Sequence, residues 1–203
     1  MGLISDGTTI FDAGAMSLGG SMVLIKKIAL SSAASTVSFV NGASDVVLDG
    51  TYKQYIFTLT NIHPSENNTG LTVGFRDGGS AYDAPKTTTF FRARHEEDGS
   101  AAGIEYETGH DLAESNDFHS LSANTLGTGN DESFSGYIHL FDPASTTFHK
   151  HFITRGNVYH AANISQDNHT SGYINTTTAI DAVQFKMNSD TIEAGTITLY
   201  GIA

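Results

Sequence analysis

The feature that most constrains this sequence is the alternation of apolar and polar residues with a period of two. It is clear at the end of the chain, where Ile197 and Leu199 alternate with Thr198 and Tyr200. Such alternation is typical of strands with one buried face. About ten to twelve segments show it, spaced roughly ten residues apart, as in antiparallel sandwiches. We find no amphipathic helix of useful length. The pattern predicts an all-β chain.

We expect these strands to form an antiparallel β-sandwich, jelly-roll-like, with an extended N-terminal arm. We expect residues 22–203 to form a single sandwich domain. Residues 1–21 are rich in glycine and weakly apolar, so they cannot build a core of their own. We interpret them as a docking arm, in which Ile10 and Phe11 find burial on a neighbouring subunit. A loose leader is the alternative.

Turn-forming residues predict how several strands connect. The two runs within 179–202 should pair as a closing hairpin, and Met22–Leu30 should pair with Thr36–Val40. Gly156-Asn157 predicts a turn, and the polar stretch 166–175 predicts a loop. The segment 108–132 shows no regular pattern, and long irregular connections in β domains often make contacts.

Composition excludes several classes of function. The formal net charge is −12, which disfavours binding to nucleic acid or to anionic membranes. Cysteine is absent, so disulfides and thiolate chemistry are excluded. No secretory signal peptide and no stretch long enough for membrane insertion is visible, so we expect synthesis in a cytoplasm without export.

Two groups of residues could bind metals. His149 and His151 lie on one face of a predicted strand, with His139 on a neighbouring strand as a candidate third ligand. Asp77 and Asp83 share a loop that lacks the calcium-binding spacing of an EF-hand. The acidic run 96–98 is a solvated turn and not a pair for acid–base catalysis. We interpret the histidines as part of an exposed sheet face and predict no metal site and no cofactor.

Tyrosines give the main indication of binding. Tyr82, Tyr106, Tyr159 and Tyr173 lie in or beside predicted loops, where aromatic rings can stack on sugars or contact proteins. Plugging the ends of the sandwich is the alternative role. No nucleophile elbow or phosphate-binding glycine loop is present, and no catalytic residue can be assigned. We therefore expect a protein that is not an enzyme.

Several strand sequences resemble those of a known group. The ending AGTITLYGI, with IDAVQF before it, resembles the closing strands of β-sandwich virion proteins of tailed bacteriophages, especially those of marine bacteria. YIFTLTNIHPSENNTGLTVGF and SGYIHLFDPASTTFHKHFI are similar to the central strands of the same group. The resemblance covers roughly residues 22–202 and rests on strand sequences, not on catalytic motifs.

The resemblance implies a structural or host-contacting part of a virion, such as a head decoration or a tail or fibre component. We expect the partners to be identical subunits, in a trimer by analogy with such assemblies, and other virion proteins. The alternative is a lectin-like module that binds host surface glycans through the loop tyrosines.

Overall fold

A computed structural model describes residues 21–203 in full and, within residues 1–20, only the backbone of three short strands. These are β1 (Leu3–Ser5), β2 (Thr8–Asp12) and β3 (Ala15–Met16), which pair antiparallel in that order. Ile10 and Phe11 lie on β2, and their side chains, with the docking role predicted for them, lie outside the described residues.

The remaining strands form two antiparallel sheets of unequal size. The small sheet has the order β10 (His119–Ser120), β7 (Leu71–Arg76), β14 (Ala182–Met187), β5 (Val37–Val40). The large sheet has the order β4 (Met22–Ala29), β15 (Ile192–Ile202), β6 (Gln54–Pro64), β11 (Phe134–Phe141), β12 (Lys150–His160), β13 (Ile164–Ile174), β8 (Lys86–Glu96), β9 (Ala102–Tyr106).

The chain alternates between the two sheets as it is followed from β4 to β8, because each successive strand lies in the other sheet. This is the jelly-roll-like way of building a sandwich. The all-β antiparallel sandwich predicted from the sequence is therefore confirmed. In the described part of the chain, no helix has the length and apolar character needed to cross a membrane.

Phenylalanine rings hold the two sheets together. Phe57 on β6 contacts Phe39 on β5 and Phe185 on β14, with ring centroids 5.2 and 5.6 Å apart. Phe75 on β7 lies 5.2 Å from Phe152 on β12. All five are fully buried. Burial of each ring contributes about 2–3 kcal/mol, and an edge-to-face pair adds roughly 0.5–1.5 kcal/mol.

The predicted closing hairpin is wrong. β14 lies in the small sheet between β7 and β5, whereas β15 lies in the large sheet between β4 and β6. The short connection between them is held by Asn188, whose Oδ1 accepts hydrogen bonds from Gly70 N (2.8 Å) and Thr69 Oγ1 (2.6 Å). Alternation identifies the buried face of each strand but not the strand with which it pairs. The buried faces of β14 and β15 face each other across the core from different sheets.

The first predicted strand pair fails for the same reason. β4 is the edge strand of the large sheet and pairs with β15, whereas β5 is the edge strand of the small sheet and pairs with β14. The bounds of both strands agree closely with the prediction.

The predicted turn at Gly156-Asn157 and the loop over 166–175 are also wrong. β12 continues through both residues, and β13 occupies most of the predicted loop. Gly156 is needed within the strand because a Cβ there would overlap the ring of Phe134. The polar residues of β13 were misleading because its inward side chains are polar and still buried: Gln166, Asn168 and Thr170.

The segment predicted to be irregular, 108–132, contains only the two residues of β10 as strand. It covers the part of the large sheet that the small sheet does not reach, and it does so with hydrogen bonds. Leu112 N donates to Thr88 Oγ1 (2.9 Å), and Asn168 Nδ2 donates to the carbonyl of Leu121 (3.3 Å). This explains why polar inward residues are tolerated on β13.

Replacing the central core ring should destabilise the fold strongly. We expect Phe57→Ala to lower the free energy of unfolding by about 3–5 kcal/mol, because it leaves a cavity between the sheets. Urea unfolding followed by circular dichroism measures this. Phe148→Ala is the matched control, since Phe148 is 70% exposed, and it should change stability by less than about 0.5 kcal/mol. Equal effects of the two changes would contradict the described core.

Candidate functional site

Two buried lysines close one end of the sandwich. Lys150 and Lys86 flank Ile174 across three neighbouring strands, and both lysines are fully buried. Lys86 Nζ donates to the carbonyl of Asp117 (2.7 Å), and Lys150 Nζ donates to the carbonyls of Thr176 and Thr178. Burial lowers the pKa of Lys86 to about 8 and also lowers the pKa of Lys150. Both ammonium groups therefore tie connecting segments to the sheet.

A histidine is buried beside this end of the core. His119 Nε2 is hydrogen-bonded to Thr170 Oγ1 (2.8 Å), and its ring lies 5.5 Å from that of Phe152. Burial, with a further contribution from the charge of Lys86, lowers the pKa of His119 to about 3. The imidazole is therefore neutral at physiological pH and is part of the packing between the irregular segment and β13.

Two of the four candidate tyrosines lie on loops or edges, as predicted. Tyr82 is in the loop after β7, with its ring centroid 5.9 Å from the guanidinium of Arg76. Tyr106 is the last residue of the edge strand β9 and donates a hydrogen bond to Asp111 Oδ2 (2.7 Å).

The other two tyrosines lie within strands, each one residue from the end of its strand. Tyr159 is therefore beside a loop, as predicted, whereas the loop predicted around Tyr173 is part of β13. Tyr159 on β12 pairs with Ser165, near the start of β13, whereas Tyr173 is near the end of β13. Eight residues of extended chain place these positions roughly 27 Å apart. The structure therefore does not bring the four tyrosines into one site.

The candidate metal ligands do not converge. His149 and His151 flank the ring of Tyr173, with centroids 6.1 and 6.3 Å from it. His139 on β11 instead stacks on Phe141 (4.1 Å between centroids) and is hydrogen-bonded through Nε2 to Gln54. Among the described residues there is no group of three histidine or acidic side chains placed to hold a metal ion, and this includes the loop acids.

The most unusual surface is the outer face of the large sheet, by which we mean the strand positions that point away from the core. Nine large hydrophobic side chains of the described residues are exposed, and all but Phe148 lie on this outer face. The eight are Met22, Leu24, Phe91, Ile104, Tyr106, Tyr137, Ile153 and Tyr173. Hydrophobic patches of this extent on a protein surface mark contact sites.

Imidazole rings are stacked among these side chains. His169 on β13 lies flat on Phe91 of β8, with centroids 4.9 Å apart and planes 8° apart. His139 stacks on Phe141 in the same way, at 28°. These pairs fix the orientation of the rings, so the outer face is a rigid surface of ring planes and not a set of independent side chains.

The outer face is almost free of acidic residues, although the chain has 22. Its outward strand positions carry two carboxylates, Asp167 and Glu193, and two strong bases, Lys27 and Arg155. Arg155 Nη2 bonds Asp167 Oδ2 at 2.8 Å, and His169 Nε2 lies 3.1 Å from the same oxygen. The hydrogen bond from Arg155 lowers the pKa of Asp167. The formal charge of the outer face is thus about zero in a chain of −12.

A shallow depression of about 520 Å³ lies at one end of the outer face. Its apolar walls are the rings of Phe141, His151 and Tyr173 and the side chain of Ile153. The polar rim consists of three hydroxyl groups, those of Thr87, Thr89 and Ser171. An arrangement of ring planes beside hydroxyls can hold a small molecule that has one apolar and one hydrogen-bonding side.

The interpretation of the tyrosines as loop residues hid the outer face. The signal was present in SGYIHLF, where both alternate sets of side chains are apolar or aromatic: Phe134, Ile138 and Leu140 are buried, and Tyr137, His139 and Phe141 point outward. A strand with only one buried face normally has polar residues on the other. Large side chains in both sets indicate a second contact surface.

Comparison of the chain with protein-family models, with curated proteins and with solved structures finds no match.

The buried imidazole should make stability depend on pH. Below the ordinary histidine pKa of 6.5 the unfolded chain takes up a proton that folded His119 does not accept until about pH 3. The contribution of His119 to the free energy of unfolding is therefore fully present above about pH 6.5. It is lost as the pH falls from 6.5 towards 3, by up to about 1.4 kcal/mol per pH unit. When the pH is lowered from about 7.5 to about 5, the free energy of unfolding should fall by roughly 2 kcal/mol less in His119→Gln than in the wild type.

Urea unfolding at the two pH values measures this difference. The control is His149→Gln, which changes an exposed histidine and should retain the acid sensitivity of the wild type. Equal acid sensitivity in all three proteins would contradict the buried, neutral state of His119.

Proposed function

We propose that this chain is a non-enzymatic structural protein of a tailed-phage virion, a surface module of the head, tail or fibre that forms homo-oligomers and docks through its N-terminal arm. The observation that carries the proposal is the outer face, where eight exposed large hydrophobic side chains share one rigid surface. A protein that works by being assembled needs such a surface, because apolar burial is the main source of affinity at interfaces.

The titratable groups are used in a way that agrees with this role. Lys86, Lys150 and His119 are the fully buried basic residues in the described part of the chain, and the hydrogen bonds that they form are all made within the fold. His119 Nδ1 has no hydrogen-bond partner. Their shifted pKa values follow from burial, which is how structural packing perturbs such groups. The resemblance of the strand sequences to virion proteins supplies the kind of assembly.

Removal of the arm tests the docking role. A chain that begins at Ser21 keeps the hydrogen bond from Ala203 N to the carbonyl of Ser21 (3.1 Å) and should therefore fold normally. We expect the truncated protein to have the thermal stability of the full chain but to be lost from purified phage particles. Immunoblots of particles from infected cells measure incorporation. Incorporation of the truncated protein at the full-length level would contradict docking through the arm.

The depression on the outer face favours a second candidate function, binding of host glycans. A sugar ring has an apolar C–H face that stacks on aromatic rings and hydroxyls at its edge. The ring of Tyr173 and the hydroxyls of Thr87 and Thr89 offer the matching groups. A receptor-binding fibre component would combine this function with assembly into the virion.

Tyr173→Ala tests this candidate directly. If the depression holds a sugar, loss of the ring should weaken binding on a glycan array about tenfold, which corresponds to about 1.4 kcal/mol. Tyr106→Ala is the control, because Tyr106 is an exposed tyrosine of the same outer face that lies outside the depression. Absence of glycan binding by the wild type, or equal loss in both variants, would exclude the depression as a glycan site.

A further inference from the structure

The outer face has the size of a complete protein interface. Seven spacings between eight strands make it roughly 34 Å wide, and about seven residues along each strand make it roughly 23 Å long. Its area is therefore about 800 Å², which is close to the roughly 800 Å² that each partner contributes to a stable interface of standard size. One partner of similar size could cover it fully.

The centre of the outer face has the residues that dominate interface energies. Tyr137 on β11 and Arg155 on β12 are direct cross-strand partners in the two middle strands, and Ile153 is 49% exposed beside them. Tyrosine and arginine are enriched among the residues whose removal costs most binding energy, and these lie near the middle of interfaces.

The distribution of charge determines which partner fits. The outer face has a formal charge of about zero, so the rest of the chain carries nearly all of the −12. Two copies that met through their acidic surfaces would bring like charges together, which costs energy and slows association. Contact between two outer faces turns the acidic surfaces of both copies away from each other. It covers two acids per copy, Asp167, which is already paired with Arg155, and Glu193 near the start of β15, which is paired with His63.

We propose that the outer face of the large sheet is the surface through which identical copies of this chain associate. This inference rests on the proposed assembly function and specifies which surface performs it. Tyr137, Ile153 and Phe91 become buried in the contact, and the N-terminal arm stays available for docking elsewhere. Exposed strands of the sheet are then covered by another copy and not by solvent.

Two substitutions placed outside the depression test the inference. Tyr137→Asp puts a carboxylate at the centre of the outer face, and Phe91→Asp removes the ring that stacks on His169. Each should raise the dissociation constant of the oligomer at least tenfold, because the contact loses a buried ring and must remove water from a carboxylate. Analytical ultracentrifugation of the full chain at several concentrations measures the constant against the monomer mass of 21.6 kDa.

The matched control is Phe148→Asp. Phe148 is the most exposed phenylalanine of the described residues and lies in the loop before β12, outside the outer face. It should leave the dissociation constant unchanged. A wild-type chain that stays monomeric at high micromolar concentration would overturn the inference. So would a loss of association in the control equal to that in the two variants.

A second measurement needs no variant and therefore does not depend on the variants folding. Covalent labelling of tyrosines in the wild type should fall at Tyr137 and Tyr106 as the concentration rises through the dissociation constant. Tyr82, in the loop after β7, should be labelled equally at all concentrations. Uniform labelling of all three residues would exclude the outer face as the contact.

The result can be separated from that of the arm experiment. If the wild type is monomeric but is incorporated into particles, the outer face serves another partner and the proposed virion function stands. If the chain associates through the outer face but is absent from particles, the virion function fails and the contact stands. Glycan binding by the intact oligomer that is lost in Tyr173→Ala would contradict full cover of the outer face, because the depression lies on that face.

Discussion

Contact of Phe57 with Phe39 and Phe185 is the interaction on which the rest of the structure depends. It joins the middle of the large sheet to two strands of the small sheet, so it fixes the separation and the relative position of the layers. The crossing connections follow from it. Each strand of the small sheet can bury its apolar side only by facing a strand of the large one, which is why the chain alternates between layers.

The unequal size of the two sheets explains both the unusual core and the unusual surface. Four strands cannot cover eight, so the segment 108–132 covers the inward side of β13 and β8 with hydrogen bonds to Thr88 and Asn168. The opposite side of the large sheet has no such cover in the described part of the chain. Its size and its small number of acids, on a protein whose remaining surface is strongly negative, are the observations behind the proposed self-association.

The sequence predicts the strands and the sandwich well, because a period of two reports directly which side of a strand is buried. Ile197 and Leu199 alternate in this way with Thr198 and Tyr200, and both are fully buried. The sequence does not predict which strands pair, because β14 and β15 can bury their apolar side chains equally well as neighbours in one sheet or as members of two facing sheets. It also fails where burial is polar, since Gln166 and Asn168 have the composition of a loop and depend on partners distant in sequence.

The candidate site was predicted less well than the fold. The separate positions of Tyr159 and Tyr173 depend on the length of β13, which the polar composition hid. The outer face depends on register across eight strands, because Phe91 and His169 become neighbours only when β8 and β13 pair. Such long-range register cannot be derived from one strand at a time.

The two lysines at the end of the sandwich have a practical consequence. Their amines are bound to backbone carbonyls and shielded from solvent, whereas Lys27 and Lys53 are exposed. Acylating reagents, such as succinimidyl esters used to attach dyes, reach the shielded amines only when the adjoining segments separate from the sheet. The extent of acylation at Lys86 and Lys150 therefore reports how often that end of the protein opens.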